Sequence, residues 1–195
     1  MSSLLEESHP VPLPSTSSSL PNPPPIPSFQ LRETICDVPT ELLIQTFDDR
    51  VLVIITQNGK VGCLTQASLP PHIPLPPPPK PLSPSSSSPN HPSALDILSI
   101  LPQPSPALSL TPLLGSPPSP SLYDLYISQI STLIFWALET SGQGRRNVVV
   151  GLSLRRSPRN QEEGQDEGED VLDDGERERY AGIMDLVSRW PGPAE

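Results

Sequence analysis

Few of the residues that could take part in catalysis or metal binding lie in segments that are predicted to fold. The three histidines, His9, His72 and His91, fall in Pro/Ser-rich segments, which we expect to be disordered because they bury too little apolar surface. A Ser-His-Asp or Cys-His pair and a Cys/His zinc site each need a positioned histidine. Cys36 and Cys63 fall in predicted strands, and neither has a histidine to activate it. The pattern favours a protein that is not an enzyme and that uses no cofactor or metal.

Carboxylates are concentrated in one segment near the C-terminus. Residues 162–178 hold ten of the 22 acidic residues, and residues 157–175 are expected to form a solvated, disordered insertion because like charges repel one another. Calcium binding is the alternative, but the ligand spacing of an EF-hand loop is absent. No Gly-x-Gly-x-x-Gly or Walker pattern occurs, so Gly142-Gln143-Gly144 is interpreted as a turn.

The charge balance disfavours nucleic acid as a partner. The formal net charge is −10, and Arg145-Arg146 and Arg155-Arg156 are too few for the clustered positive surface that nucleic acid requires.

No apolar run approaches the ~20 residues needed to span a bilayer, and the N-terminus lacks a secretory signal pattern. We expect a cytoplasmic protein, with the nucleus as a second compartment, and no membrane partner. Its two thiols would then be reduced, with a Cys36–Cys63 disulfide as the alternative.

The distribution of proline sets the domain boundaries. Of the 30 prolines, eight fall in residues 10–27 and eighteen in residues 70–120. Proline has no backbone donor and fixes φ, so it interrupts helices and central strands. The prediction is a disordered tail over 1–27, a single domain over 28–190 with disordered insertions at 70–106 and 157–175, and a short disordered tail over 191–195.

Four strands are predicted early in the domain, over residues 29–36, 41–47, 50–57 and 60–66, with Val38-Pro39 breaking the first from the second. Asn58-Gly59 favours a two-residue type I′ hairpin between the third and the fourth. In the resulting register Ile54 faces Cys63 and Val53 faces Leu64.

Both faces of this predicted hairpin are apolar. One carries Val51, Val53, Ile55 and Leu64, and the other carries Leu52, Ile54, Val61 and Cys63. A sheet with one wet side would alternate apolar and polar residues. We therefore expect both faces to be covered, one by helices of the same chain and the second by more sheet or by a partner subunit.

In the rest of the domain the sequence predicts two helices and two strands. Apolar residues at three- and four-residue spacing predict a helix over 121–140, with Leu122, Leu125, Tyr126 and Ile130 on its buried stripe. A strand over 147–154 and a helix over 176–190 follow, and residues 107–115 form at most an edge strand because Pro112 interrupts pairing. The fold class is α+β: a small antiparallel sheet or sandwich with two packed helices, interrupted by disordered insertions.

The Pro-rich insertion supports an alternative function. Pro76 to Pro79, followed by Lys80-Pro81, could dock on an SH3- or WW-type groove as a polyproline II helix. Several Ser-Pro pairs nearby, including Ser116-Pro117 and Ser119-Pro120, could accept phosphate. The alternative is therefore a proline-rich signalling adaptor that displays these sites.

A short motif carries a family resemblance. It consists of a Cys-x-Val-Pro-Thr start and a Thr-Gln-x-Gly-Lys turn with a further glycine two residues on; the matching residues are Cys36, Val38, Pro39, Thr40, Thr56, Gln57, Gly59, Lys60 and Gly62. With Leu114-Gly115 before a long helix, then a strand, then a helix ending at Trp190, the chain resembles the proteasome assembly chaperone 3 family. The Pro-rich and acidic insertions depart from that pattern and resemble expansions of a fungal-type member.

The resemblance implies a non-catalytic chaperone for assembly of the 20S proteasome α-ring. It would act as a dimer with a proteasome assembly chaperone 4-type partner and would bind 20S α-subunits, holding a subunit surface in position until the particle matures. The nine motif residues would then have structural or interaction roles in a chaperone-like domain, with no cofactor. Which α-subunit is bound does not follow from the resemblance.

Overall fold

A computed structural model of the chain describes residues 26–77, 94–155 and 173–193. The elements in chain order are β1 (Ser28–Ile35), β2 (Val38–Thr46), β3 (Arg50–Thr56), β4 (Cys63–Ser68), α1 (Ala94–Ile100), β5 (Ser109–Leu114), α2 (Pro120–Thr140), β6 (Asn147–Ser153) and α3 (Asp174–Ser188). The six strands form one open sheet in the order β1-β2-β3-β6-β4-β5. All neighbouring pairs are antiparallel except β3 and β6. The α+β fold class is confirmed.

The predicted hairpin between β3 and β4 is wrong, because β6 lies between these two strands. Residues 57–62 instead cross the end of β6, where the Gln57 backbone N–H donates to the Ser153 carbonyl at 2.9 Å. A type I′ turn needs positive φ at both central residues, and in this loop only Gly59 and Gly62 have it. The valine run of β6, Val148 to Val150, is apolar on both faces, which suits a central strand with a neighbour on each side.

Inserting β6 also changes which side chains of β4 face the core. Cys63 pairs with Leu152 and lies on the face that carries Val53 and Ile55, whereas Leu64 pairs with Gly151 on the other face. The predicted register put these two residues on opposite sides from where they lie. A shift of one residue in register moves every side chain of a strand to the opposite face. Here the predicted partner of β4 was wrong as well, because β4 pairs with β6 and not with β3.

A tight two-residue turn does occur, but between β1 and β2. Cys36 and Asp37 have φ values of 48° and 60°, and Ile35 pairs with Val38 across them, as in a type I′ hairpin. The sequence analysis placed Cys36 inside a strand and expected Pro39 to break pairing. Pro39 pairs with Thr34, before the first residue of β2 that pairs with β3, so its missing N–H interrupts no ladder on that side.

The helices cover one face of the sheet. Helix α2 contacts β6 and β4, and α3 contacts β1 and α2. Fully buried side chains between the layers include Ile44, Ile55, Tyr126, Phe135 and Leu152. Each fully buried side chain of this size contributes about 1.5–3 kcal/mol through removal of apolar surface from water.

The predicted stripe of α2 is only partly correct. Tyr126 and Ile130 are fully buried, but Leu125 is 38% exposed. At 3.6 residues per turn Leu125 lies nearly opposite Tyr123 and Ile127, and both of those residues are buried. The buried side of the helix therefore keeps Tyr126 and Ile130, as predicted, but includes Tyr123 and Ile127 in place of Leu125.

Helix α3 begins two residues earlier than predicted, and its stripe is confirmed. The Asp173 side chain caps it by accepting from the Glu176 backbone N–H at 2.6 Å, which satisfies a donor that a helix start leaves unpaired. The predicted stripe residues are all buried: Tyr180, Ile183, Met184, Val187 and Trp190. Residues 156–172 of the acidic insertion lie outside the described residues.

The described parts of the Pro-rich insertion differ from the expected disorder. Leu69 and Leu75 belong to the core, and the Arg145 guanidinium donates to the backbone carbonyls of Pro70 and Ile73 at 3.0 and 2.7 Å. Residues 94–100 form α1, which contacts α3. Proline interrupts regular structure but does not prevent side chains between prolines from anchoring the chain. Residues 78–93 lie outside the described residues.

Strand β5 is an edge strand, as predicted for residues 107–115. Among the described strands it pairs with β4 alone, and its register shifts between Leu64 and Thr65. Pro112 pairs opposite Thr65, where an edge position tolerates the missing donor. The shift places Leu114 opposite Leu64.

Candidate interaction surface

The motif residues converge on one end of the sheet. Cys36 lies in the β1–β2 turn, Val38, Pro39 and Thr40 begin β2, Thr56 ends β3, and Gln57, Gly59, Lys60 and Gly62 lie in the loop that follows. Because β1 and β3 end where β2 and β4 begin, the two halves of the motif meet in space. Three of the nine, Thr40, Thr56 and Gln57, are buried.

Gln57 joins three elements at this end. Its side-chain amide donates to the Thr40 hydroxyl at 3.0 Å and accepts from the Arg155 backbone N–H at 3.1 Å. The Thr56 hydroxyl accepts from the backbone N–H groups of Asn58 and Lys60, at 3.2 and 3.1 Å. A buried polar group without a partner would cost free energy, so these residues stabilise the loop rather than offer a chemically reactive group.

Gly62 is required by the same loop. Its φ is +73°, and a Cβ there would come within 2.0 Å of the Leu152 carbonyl oxygen. Gly59 also has a positive φ, of +65°, but a Cβ there would meet no atom within 4 Å. Gly62 therefore lets the loop pass directly over β6, whereas Gly59 serves only the turn. Lys60 and Gly59 are exposed and are available to a partner.

The two cysteines have no arrangement for nucleophilic chemistry within the described residues. Both are free thiols, and three strands separate β1 from β4. The Cys36 sulfur lies 4.0 Å from the Gly175 carbonyl at the start of α3. Partial burial there, followed by the nearby Glu178 carboxylate, raises the pKa of the Cys36 thiol above its ordinary value. Because the thiolate is the nucleophile, this environment lowers the reactivity of Cys36.

A buried polar cluster fixes α3 against α2. Glu176, 7% exposed, forms an ion pair with Arg179 and accepts from the Tyr126 hydroxyl at 2.7 Å. The Arg179 guanidinium also donates to the Arg155 carbonyl at 2.5 Å, just beyond β6. The rings of Tyr126 and Tyr180 lie with centroids 4.9 Å apart. Because every charge here has a partner, the cluster orients α3 without leaving an unpaired charge in the interior.

The second face of the sheet carries an apolar patch at its centre and is less covered. This patch, which we call the open face, is formed by Leu43, Leu52, Ile54, Leu64, Leu114 and Gly151 around the buried Val149, and the same strand pairing places the polar Glu41, Gln45 and Gln66 on this side of the sheet, at its margins. Its five leucine and isoleucine side chains are absent from the core cluster that the helices complete. Leu43, Leu52, Ile54 and Leu64 are half-buried and Leu114 is 63% exposed.

Exposed apolar residues continue this surface at its margins. Leu113 is 50% exposed and Val61 is 48% exposed. The Val61 carbonyl oxygen lies 3.1 Å from the position of a Cβ on Gly151, which places this part of the loop beside the open face. A contiguous apolar surface of this kind is typical of a protein–protein interface.

The sequence motif and the open face are different sets of residues. The motif found the residues that shape one end of the sheet, but it missed Leu43 and Leu114. The apolar character of both faces of β3 was the signal for the open face, and it correctly included Leu52 and Ile54. Leu114 could be assigned only with the pairing of β4 and β5, which depends on the register shift.

Several other predictions concern residues in or near the described ranges. His72 lies in an exposed loop, whereas His9 and His91 lie outside the described residues. Within the described ranges no group of three or more His, Cys, Asp or Glu is placed to hold a metal ion, and no helix there has the length and apolar character to cross a membrane. Pro78 to Pro81 of the proposed SH3-type site also lie outside the described residues.

No model of a known protein family matches the chain, and no curated protein matches it either. The resemblance to the proteasome assembly chaperone 3 family therefore stays an interpretation of the motif and of the element order.

Proposed function

We propose that this protein is a non-catalytic chaperone for assembly of the 20S proteasome α-ring, and that it acts as a dimer with a related assembly chaperone of the 4 type. The observation that carries the proposal is the open face. One face of the sheet is sealed by α2 and α3, while the other presents an apolar surface that the described residues leave half-exposed.

The open face fits a permanent partner better than a transient ligand. Its side chains belong to regular strands, so they are held in place before binding, which reduces the conformational entropy lost on association. Its central residues are aliphatic and carry no charge, as in the cores of stable dimer interfaces. A related chaperone that presents a similar sheet would cover it.

The motif end supplies a second contact region in this proposal. Lys60, Gly59 and Pro39 are exposed there, above the buried Thr40–Gln57 hydrogen bond. Because that hydrogen bond and the contact of Gly62 with β6 fix the loop, it can present the same surface to a 20S α-subunit each time. The role of the protein would be to hold that subunit during ring assembly, with localisation in the cytoplasm and the nucleus.

Copurification tests the proposal. Tagged full-length chain should recover a second assembly chaperone and 20S α-subunits from cells, identified by mass spectrometry. Leu114→Lys should reduce recovery of the partner chaperone, since it places a charge on the open face. Leu125→Lys is the matched control, because Leu125 is 38% exposed on α2 and does not belong to the open face.

The outcome that contradicts the proposal is recovery of neither the chaperone nor an α-subunit. The proline-rich adaptor is separated by deleting residues 78–93, which removes most of the Pro-rich site and leaves Leu75 and α1 in place. If the chain without residues 78–93 no longer functions in cells, the adaptor is favoured. If it still binds the partner chaperone, the assembly chaperone is favoured.

A further inference from the structure

A groove lies on the opposite side of the molecule from the open face, between α1, α3 and the end of β1. Its volume is about 850 Å³, within the range of ligand-binding clefts. Ile35 and Ala181 form its floor together with Gly182. A Cβ on Gly182 would lie 2.7 Å from the Ile35 side chain, so the glycine allows α3 to pack directly on β1 there.

One wall of the groove presents apolar side chains that the described chain does not cover. Helix α1 has no buried residue, and its Leu95, which lines the groove, is 67% exposed. Ile97 lines the same wall. Ile35 and Ala181 in the floor are themselves buried, so Leu95 and Ile97 supply the apolar surface that another molecule could contact.

The rim of the groove is negative. Four carboxylates line it, from Glu33, Asp174, Glu178 and Asp185, against the two guanidinium groups of Arg177 and Arg189. Arg189 is engaged by Glu33 and Asp185, at 2.8 and 2.5 Å, and Arg177 by Asp174 at 2.7 Å. Glu178 is exposed, and no described residue forms an ion pair with it. The two arginines are thus compensated and an excess of carboxylate faces the solvent.

We propose that this groove binds a basic, amphipathic segment of a partner protein. Aliphatic side chains of that segment would pack on Leu95 and Ile97 of α1, and its Lys or Arg side chains would lie against Glu178 and the neighbouring carboxylates. The complementarity of charge selects a basic segment, and the exposed apolar side chains of α1 select against a polycation that has no apolar residues. The inference concerns a surface separate from the open face and does not depend on the proposed function.

Binding of designed peptides to the full-length chain tests the inference. The probe is a fluorescein-labelled peptide with leucines at three- and four-residue spacing and Lys elsewhere, and the comparison peptide carries Glu in place of Lys. A third peptide keeps the Lys residues and replaces the leucines by Ser. Fluorescence anisotropy should show binding of the first peptide only.

Two pairs of variants assign the binding to the groove. Glu178→Lys should weaken binding of the first peptide about 3- to 10-fold, while Asp124→Lys, at an exposed position of α2 outside the groove, should change it little. Leu95→Ser should weaken binding about 5-fold or more, while Leu125→Ser should not. All four positions are partly or fully exposed, and far-UV circular dichroism checks that each variant is folded.

Three results would overturn the inference. If the third peptide, with Ser in place of the leucines, binds as tightly as the first, charge alone explains the binding. The acidic segment before α3 would be enough to produce that result. Equal effects of Glu178→Lys and Asp124→Lys would give the same conclusion. Unchanged binding in Leu95→Ser would remove the apolar contact on which the groove depends.

Discussion

The Tyr126 hydroxyl on α2 donates a 2.7 Å hydrogen bond to the carboxylate of Glu176 in the first turn of α3. Both residues are buried, and Glu176 is also paired with Arg179. The bond therefore links the first turn of α3 to α2, the helix that covers the centre of the sheet. In the sequence, this turn of α3 follows residues 156–172.

Tyr126→Phe is expected to lower the free energy of unfolding by about 1–3 kcal/mol, because it leaves a buried carboxylate with one partner fewer. Tyr180→Phe is the matched control, since its ring packs on Tyr126 but no described residue accepts a hydrogen bond from its hydroxyl. It should cost less than about 1 kcal/mol. Urea denaturation followed by circular dichroism measures both, and equal losses would argue against a special role of the bond to Glu176.

Alkaline pH should destabilise the protein through the same tyrosines. Burial is the main cause that raises the pKa of both Tyr126 and Tyr180 well above the ordinary value of about 10. A raised pKa in the folded state means that the stabilisation is fully present below the unfolded value and is lost as pH rises above it. Absorbance at the phenolate band should therefore increase together with loss of circular dichroism. A tyrosinate signal from both residues in a fully folded protein would contradict this.

Gly62→Ala should destabilise the protein more than Gly59→Ala. Both substitutions place Ala at a positive φ, which costs about 1–2 kcal/mol, but only the Cβ at position 62 would collide with Leu152. The expected losses are about 3–5 kcal/mol for Gly62→Ala and about 1–2 kcal/mol for Gly59→Ala. Thermal or urea unfolding distinguishes them. Equal losses would speak against the passage of this loop over β6.

Gln57→Met should cost about 1–3 kcal/mol, because the Arg155 backbone N–H and the Thr40 hydroxyl would each lose a buried partner. The control is Gln66→Met on β4, whose amide donates to the half-buried Ser68 hydroxyl at 3.3 Å. That substitution should cost under about 1 kcal/mol. Hydrogen exchange of the Arg155 amide should rise in Gln57→Met alone, and unchanged exchange would show that the Gln57 side chain does not protect it.

Local patterns in the sequence were sufficient for most of the elements. The valine-rich run of β6 and the spacing of Tyr180, Ile183, Met184 and Val187 in α3 depend on neighbours within a few residues, and both were located to within two residues at their starts. The same holds for β3, whose two apolar faces correctly indicated a sheet with apolar surfaces on both sides. Hydrophobic periodicity reports such features because it reflects burial of one segment at a time.

The sequence by itself thus determined the fold class, the positions of α2 and α3 to within two residues and the expectation of an apolar second face, but not α1. Only the tertiary structure decided the order of the strands and the composition of that face. Asn58-Gly59 has the local preference of a hairpin, but the free energy of placing β6 between β3 and β4 depends on residues 147–153, some ninety positions further along the chain. Pairing between strands so far apart in the sequence depends on how their side chains pack together, and the local preferences of single residues do not report that packing. For the same reason Leu64, rather than Cys63, lies on the open face.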